Sequence, residues 1–128
     1  MLFRSPLQDA GAVALRLPDQ YYMDLAVHYQ QRRDRLMRML EQAGLNPMLP
    51  KGAYYIMCDI EKWGYPNDVE FAKFLVQEIG VATVPGSSFF SDPAAGKDII
   101  RFTFCKKEET LQAAEDRLKK LHLAMARS

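Results

Sequence analysis

Apolar residues recur along this chain at helical spacing in some stretches and at strand spacing in others, and the two periods divide it into elements. Leu7, Ala10, Gly11, Ala14 and Leu15 share one face of a short opening helix between Leu7 and the stop at Leu17-Pro18. A helix of that length is marginal by itself and must dock on something. A second, longer helix starts at Pro18 or Asp19 and carries Tyr22, Leu25, Ala26, Tyr29, Leu36, Met39, Leu40 and Ala43 at steps of three and four. Gly44 ends it, in the position where a positive φ is needed. Asn46 to Leu49, flanked by Pro47 and Pro50, is at best an edge strand, because proline donates no backbone hydrogen bond.

The run Ala53 to Ile60 is apolar at nearly every position, which predicts a strand covered on both faces. Glu61 to Asn67 reads as loop. Asp68 can cap a helix whose apolar face is Phe71, Ala72, Leu75, Val76 and Ile79, with Gly80 at its end. Val81 to Val84 is a short strand closed by Pro85-Gly86, and Ser87 to Asp98 is a polar loop interrupted by Phe89-Phe90. Ile99 to Cys105 alternates: Ile100, Phe102 and Phe104 face one way, and Ile99, Arg101, Thr103 and Cys105 the other. A last helix from about Lys107 to Met125 buries Leu111, Ala114, Leu118, Leu121 and Met125. The order predicts an α+β fold, a small and mostly antiparallel sheet of three to four strands packed against helices.

A chain of 128 residues with 48% apolar and 26% charged residues is long enough for one domain with a real core. A net charge of +1 gives no reason to expect a nucleic acid as partner. The densest basic run, Arg32, Arg33, Arg35 and Arg38, is spread around its helix and reads as a solvated face rather than a phosphate patch. An RNA-binding sheet with Tyr55 and Phe102 as platforms is disfavoured, since helices should cover the sheet. No stretch approaches the roughly 20 apolar residues that span a membrane, and Met1 to Pro6 lack the apolar core of a secretory signal. The expected location is cytoplasmic. Cys58 and Cys105 have no cysteine or histidine at metal-ligand spacing and read as buried free thiols, so no metal is expected.

No complete catalytic set is visible. His28 and His122 lie in helices away from plausible partners, and Ser87-Ser88 have no nearby base. One residue stands out. Arg101 sits in the middle of the apolar, aromatic strand Ile99-Ile100-Arg101-Phe102-Thr103-Phe104. Such a guanidinium must reach solvent or an anion, because burying it unpaired costs several kcal/mol. Its planar fork matches a carboxylate in two parallel hydrogen bonds. Pattern alone favours a strand arginine on a wet face over an anion clamp.

Several segments in order change that balance. Ser5-Pro6-Leu7-Gln8-Asp9-Ala10, Tyr29 with Arg32-Arg33-Asp34, Pro50-Lys51-Gly52-Ala53-Tyr54-Tyr55 with Asp59, Glu70-Phe71 with Gly80-Val81 and Val84-Pro85-Gly86-Ser87-Ser88-Phe89, and Ile100-Arg101-Phe102-Thr103-Phe104 together resemble the C-terminal part of fold-type-I, class I aminotransferases, especially the kynurenine and methionine aminotransferase branch. The resemblance covers most of the chain. It implies the small domain of such an enzyme over residues 18–128, with 1–17 a remnant of the large domain or inter-domain helix. It implies that Arg101 holds the substrate's α-carboxylate, that Pro85-Gly86 shapes the cleft, and that Tyr54 and Phe89 are possible cleft-lining residues, with core packing the readier role for those two.

The family's Schiff-base lysine, and the groups around the cofactor's ring and phosphate, would lie upstream of Leu7. None of the lysines here stands in the family's S..K context. The expectation is therefore a chain that is not catalytically competent alone. Pyridoxal phosphate would act in a full-length parent, with an amino acid and a 2-oxo acid as substrates, and would not bind this chain. The uncovered apolar N-terminal segment would drive homo-oligomerisation, a dimer being one expected form. An alternative reading, a stand-alone α+β small-molecule or protein-binding module, predicts a monomer with no large apolar patch.

Overall fold

The structure, a computed structural model, describes residues 5–125, with side chains described as far as residue 121. The elements run α1 (Pro6–Ala14), α2 (Asp19–Gln42), β1 (Asn46–Met48), β2 (Tyr55–Asp59), α3 (Asp68–Phe74), β3 (Val84–Pro85), β4 (Ile99–Thr103) and α4 (Glu108–Met125). The strands form one antiparallel sheet in the order β1-β2-β4-β3. This is the expected α+β architecture. Both edge strands carry a proline, Pro47 and Pro85, where a missing donor is tolerated.

Register decides what each face does. Ile56 lies opposite Phe102 and Cys58 opposite Ile100, and all four are buried against the helices. Tyr55 lies opposite Thr103, Met57 opposite Arg101 and Asp59 opposite Ile99, and these six are only half-buried. The expectation that β2 is covered on both faces is therefore corrected: among the described residues no helix seals its second face. Tyr55 and Phe102 fall on opposite faces, which removes the two-platform RNA reading.

The core gathers Leu36, Met39 and Leu40 of α2, Phe71 of α3 with Leu75 and Ile79 beyond it, Phe104, and Leu118 and Leu121 of α4 over the buried sheet face. Each such side chain contributes about 1.5–3 kcal/mol when fully buried. Leu111 also joins the buried stripe of α4; the side chains of His122 and Met125 lie outside the described residues. Arg35 clamps α2 to α4, pairing with Glu108, donating to Gln112 at 2.6 Å and pairing with Glu115 at 2.8 Å. Arg33 pairs with Asp34, and Arg32 lies over the Tyr29 ring. The basic run is thus not one solvated face; only Arg38 of the four is exposed.

Two local readings are also corrected. The cap of α3 is Asn67, whose side chain accepts from the Glu70 N–H at 2.9 Å, not Asp68. That releases the Asp68 carboxylate for another partner. Of the expected 81–84 strand only Val84 pairs, together with Pro85 beyond it, and the following loop holds two 3₁₀ turns, Gly86–Phe89 and Pro93–Gly96. The stop signals hold: Gly44 and Gly80 both take φ of +81°, although α3 first widens into a π turn over Leu75–Ile79.

The N-terminal part packs differently. Ser5 and Gln8 form a reciprocal capping box at the start of α1. No residue of α1 is buried. In α2 the buried residues begin only at Leu36. Tyr22, Leu25 and Ala26, the first half of its apolar stripe, are exposed. The Tyr22 hydroxyl donates to the Ala14 carbonyl and joins the two helices.

Candidate functional site

Arg101 occupies the centre of β4, beside Met57 of β2 and Val84 of β3, on the sheet face away from the helices. Tyr55 is its diagonal neighbour across the β2–β4 pair, close enough for an aromatic ring to reach it. The guanidinium carbon lies 5.0 Å from the Tyr55 ring centroid. From the other side Phe89, delivered by the turn after β3, brings its ring to 4.3 Å. Two cation–π contacts thus hold the group, each worth about 0.5–2 kcal/mol depending on desolvation.

Stacking fixes the guanidinium but leaves its N–H donors to be satisfied in its own plane. Nε is buried and has no hydrogen-bond partner. Among the described residues no carboxylate forms an ion pair with it. A buried, unmade donor costs about 1–3 kcal/mol, so this arginine is held in place with one donor unmet. An anion approaching in the plane of the fork would complete it.

The structure brings Arg101 and Phe89 together, as the two expected site residues that touch. Tyr54 is set apart: it packs edge-on against Tyr55 at 5.6 Å and stands one ring away from the arginine. Its carbonyl accepts from the Phe104 N–H at 3.0 Å. Tyr55, which was not expected in the site, is the ring in contact. The signal for it was its place on the same pleat face as Arg101, readable only once the strand register is known.

Gly86 is buried, and a Cβ there would come within 2.5 Å of the Ile99 carbonyl oxygen and 2.8 Å of that of Gly96. The backbone of the Phe89 turn is therefore pressed directly onto the loop before β4. The Ser87 N–H donates to the Asp68 carboxylate at 2.7 Å, and Asp68 is 1% exposed. Ser87 is engaged through its backbone, and Ser88 is exposed.

Other candidates stay apart from Arg101. A hollow of about 520 Å³ lies on the helix side of the sheet, between Leu36, Val81, Phe102, Leu111 and Leu118. His28 is exposed on α2 and shares a groove with Arg32, Arg35 and Arg38. Among the described residues no group of three or more His, Cys, Asp or Glu could hold a metal ion. None of the described helices is long and apolar enough to cross a membrane.

Comparison with known proteins places this geometry in a family. The kynurenine–oxoglutarate transaminase of Dictyostelium discoideum is 39% identical over 91% of this chain. The methionine aminotransferase of Escherichia coli is 40% identical, also over 91%. The chain spans about a third of the length of these relatives, 32% and 30% respectively. The solved N-succinyldiaminopimelate aminotransferase of Mycobacterium tuberculosis superposes on 91% of the chain and 30% of its own length, with a TM-score of 0.79 at 36% identity. The family model for aminotransferase class I and II matches residues 1–118, and the chain belongs to that family.

Proposed function

We propose that residues 18–128 form the small domain of a pyridoxal-phosphate-dependent aminotransferase, in which Arg101 binds the α-carboxylate of the amino-acid or 2-oxo-acid substrate. One observation carries this reading: a guanidinium clamped between Tyr55 and Phe89, with a buried Nε that nothing satisfies. A carboxylate supplies two coplanar acceptors to such a fork. Holding it there also fixes the direction of the α-C–H bond, which is the orientation an amino-group transfer requires. Phe89 shields one face of the pair from water, and Tyr54 lines the rim beyond Tyr55.

Among the described residues no lysine stands in a desolvated pocket. Lys51, Lys62, Lys73, Lys97, Lys106, Lys107, Lys119 and Lys120 are all exposed. A Schiff-base lysine works from a desolvated pocket that lowers its pKa. In the proposal, the lysine and the phosphate-binding groups come from the rest of a longer protein, α1 belongs to its large domain, and the exposed first half of α2 faces that domain. The exposed apolar face there counts against the stand-alone module, which predicts no such patch.

The test is a chimera in which this chain replaces the matching third of the Escherichia coli methionine aminotransferase. Arg101→Ala removes two charge-assisted hydrogen bonds of about 1.5 kcal/mol each, so kcat/KM for amino acids falls about a hundredfold. The absorbance of bound cofactor stays unchanged. Arg101→Lys keeps the charge without the fork and recovers only part of the loss. Equal loss of substrate and cofactor binding would refute the assignment, as would cofactor-dependent transamination by the 128-residue chain alone.

A further inference from the structure

Asp68 is the one buried charged residue among those described, and the carboxylate-binding role of Arg101 leaves it unexplained. Asn67 already caps α3, so Asp68 is not needed there. Its carboxylate crosses instead to the Ser87 N–H, 2.7 Å away, near the start of the Gly86–Phe89 turn. A 3₁₀ turn begins with N–H groups that have no partner within it. Asp68 satisfies one of them from a different element, in a charge-assisted bond. Two residues further along the same turn stands Phe89, with its ring 4.3 Å from the Arg101 guanidinium carbon. The same turn is pressed onto Gly96 and Ile99, with no room for a side chain at Gly86.

We propose that Asp68 is a positioning residue for the substrate arginine: its carboxylate pins the Gly86–Phe89 turn, and the turn holds Phe89 against the guanidinium. This rests on the reading of Arg101 as the carboxylate site, and adds a residue that touches neither substrate nor arginine. Without the pin the turn keeps its glycine contacts but loses the anchor next to Phe89. The ring then no longer confines Arg101 to one plane.

The 128-residue chain itself reports this through the side-chain Nε–H resonance of Arg101, assigned by its loss in Arg101→Lys. Two flanking rings shift that resonance, and Phe89→Leu should move it. Asp68→Ala should move it in the same direction, while Asp68→Asn, which keeps an acceptor oxygen, should restore most of the wild-type position. Ile79→Val, a core change that lowers stability without touching the turn, should leave it in place. In the chimera, Asp68→Ala should raise KM for the amino acid about tenfold with kcat little changed. An unmoved resonance in both Asp68 variants, alongside a moved one in Phe89→Leu, overturns the proposal and leaves the carboxylate site standing. If Asp68→Ala does not fold, Asp68→Leu, which fills the same buried space without an acceptor for the Ser87 N–H, takes its place: a resonance displaced in the direction seen in Phe89→Leu supports the pin, and one identical to wild type refutes it. Failure of Arg101→Ala to alter KM would instead overturn the carboxylate reading, with the resonance still deciding what Asp68 does.

Discussion

Cys58 and Cys105 began as equivalent thiols in neighbouring strands, and the pleat separates them. Cys58 is fully buried on the helix side of β2, and burial pushes its thiol well above the ordinary range. Cys105 is half-buried just beyond β4. The thiolate is the reactive form, so a thiol reagent should modify Cys105 in the native chain and reach Cys58 only on unfolding. The same burial gives a pH dependence of definite sign. In the unfolded chain Cys58 ionises near pH ~8.5, whereas in the folded chain it stays protonated well above that. Its contribution is intact below the unfolded value and is lost as pH rises beyond it, by up to about 1.4 kcal/mol per pH unit. Denaturation curves between neutral pH and pH ~10 should therefore fall more steeply for the native sequence than for Cys58→Ala. Equal slopes would show that this thiol ionises in place.

At the scale of elements, the Phe89 turn and the Pro93–Gly96 turn meet backbone to backbone at Gly86 and Gly96. A Cβ on Gly96 would fall 2.5 Å from the Ser87 nitrogen, much as one on Gly86 would strike Ile99 and Gly96. Because the obstacles are backbone atoms, neither glycine can become alanine without parting the turns. Overpacking of this kind costs about 1–3 kcal/mol, so Gly86→Ala should lower the melting temperature by several degrees. Gly96→Ala should do likewise, and the double variant should lose less than the sum, since one displacement relieves both clashes. Additive losses would mean that the turns are not coupled. Much of the frame around these turns was legible in sequence. The alternation from Ile99 to Cys105 gave the faces of β4, prolines marked both edges, and Gly44 and Gly80 marked helix ends. The turns and the partners of Arg101 were not legible. Tyr55 reaches the arginine only through the β2–β4 register, which pairs residues forty or more positions apart. Asp68 looked like a cap because a cap and a long-range latch use the same residue type. The apolar run of β2 suggested two covered faces because composition cannot distinguish a fully buried face from a half-buried one.

For the whole molecule, the distribution of burial along the chain is uneven in a way that sets its behaviour in solution. From Leu36 onward nearly every element contributes to the core; before it, none of the described residues is buried. Leu7, Val13 and Leu15 of the α1 region and Tyr21, Met23, Leu25 and Val27 of α2 are exposed large apolar residues on adjacent elements. A nine-residue helix such as α1 has little stability of its own, and its hydrogen bond from Tyr22 is a thin tether. This much exposed apolar surface on two neighbouring helices favours association in water. In the isolated chain the surface available to cover it is its counterpart on a second copy. Light scattering should therefore report a mass above the 14.7 kDa monomer that rises with concentration. Replacing Leu7, Leu15 and Met23 together by glutamine should return the chain to monomer. The melting temperature measured at low concentration should not fall, since none of the three is buried. Association that survives this triple change would place the contact elsewhere, on the open sheet face around Arg101, where added amino acid would compete with it.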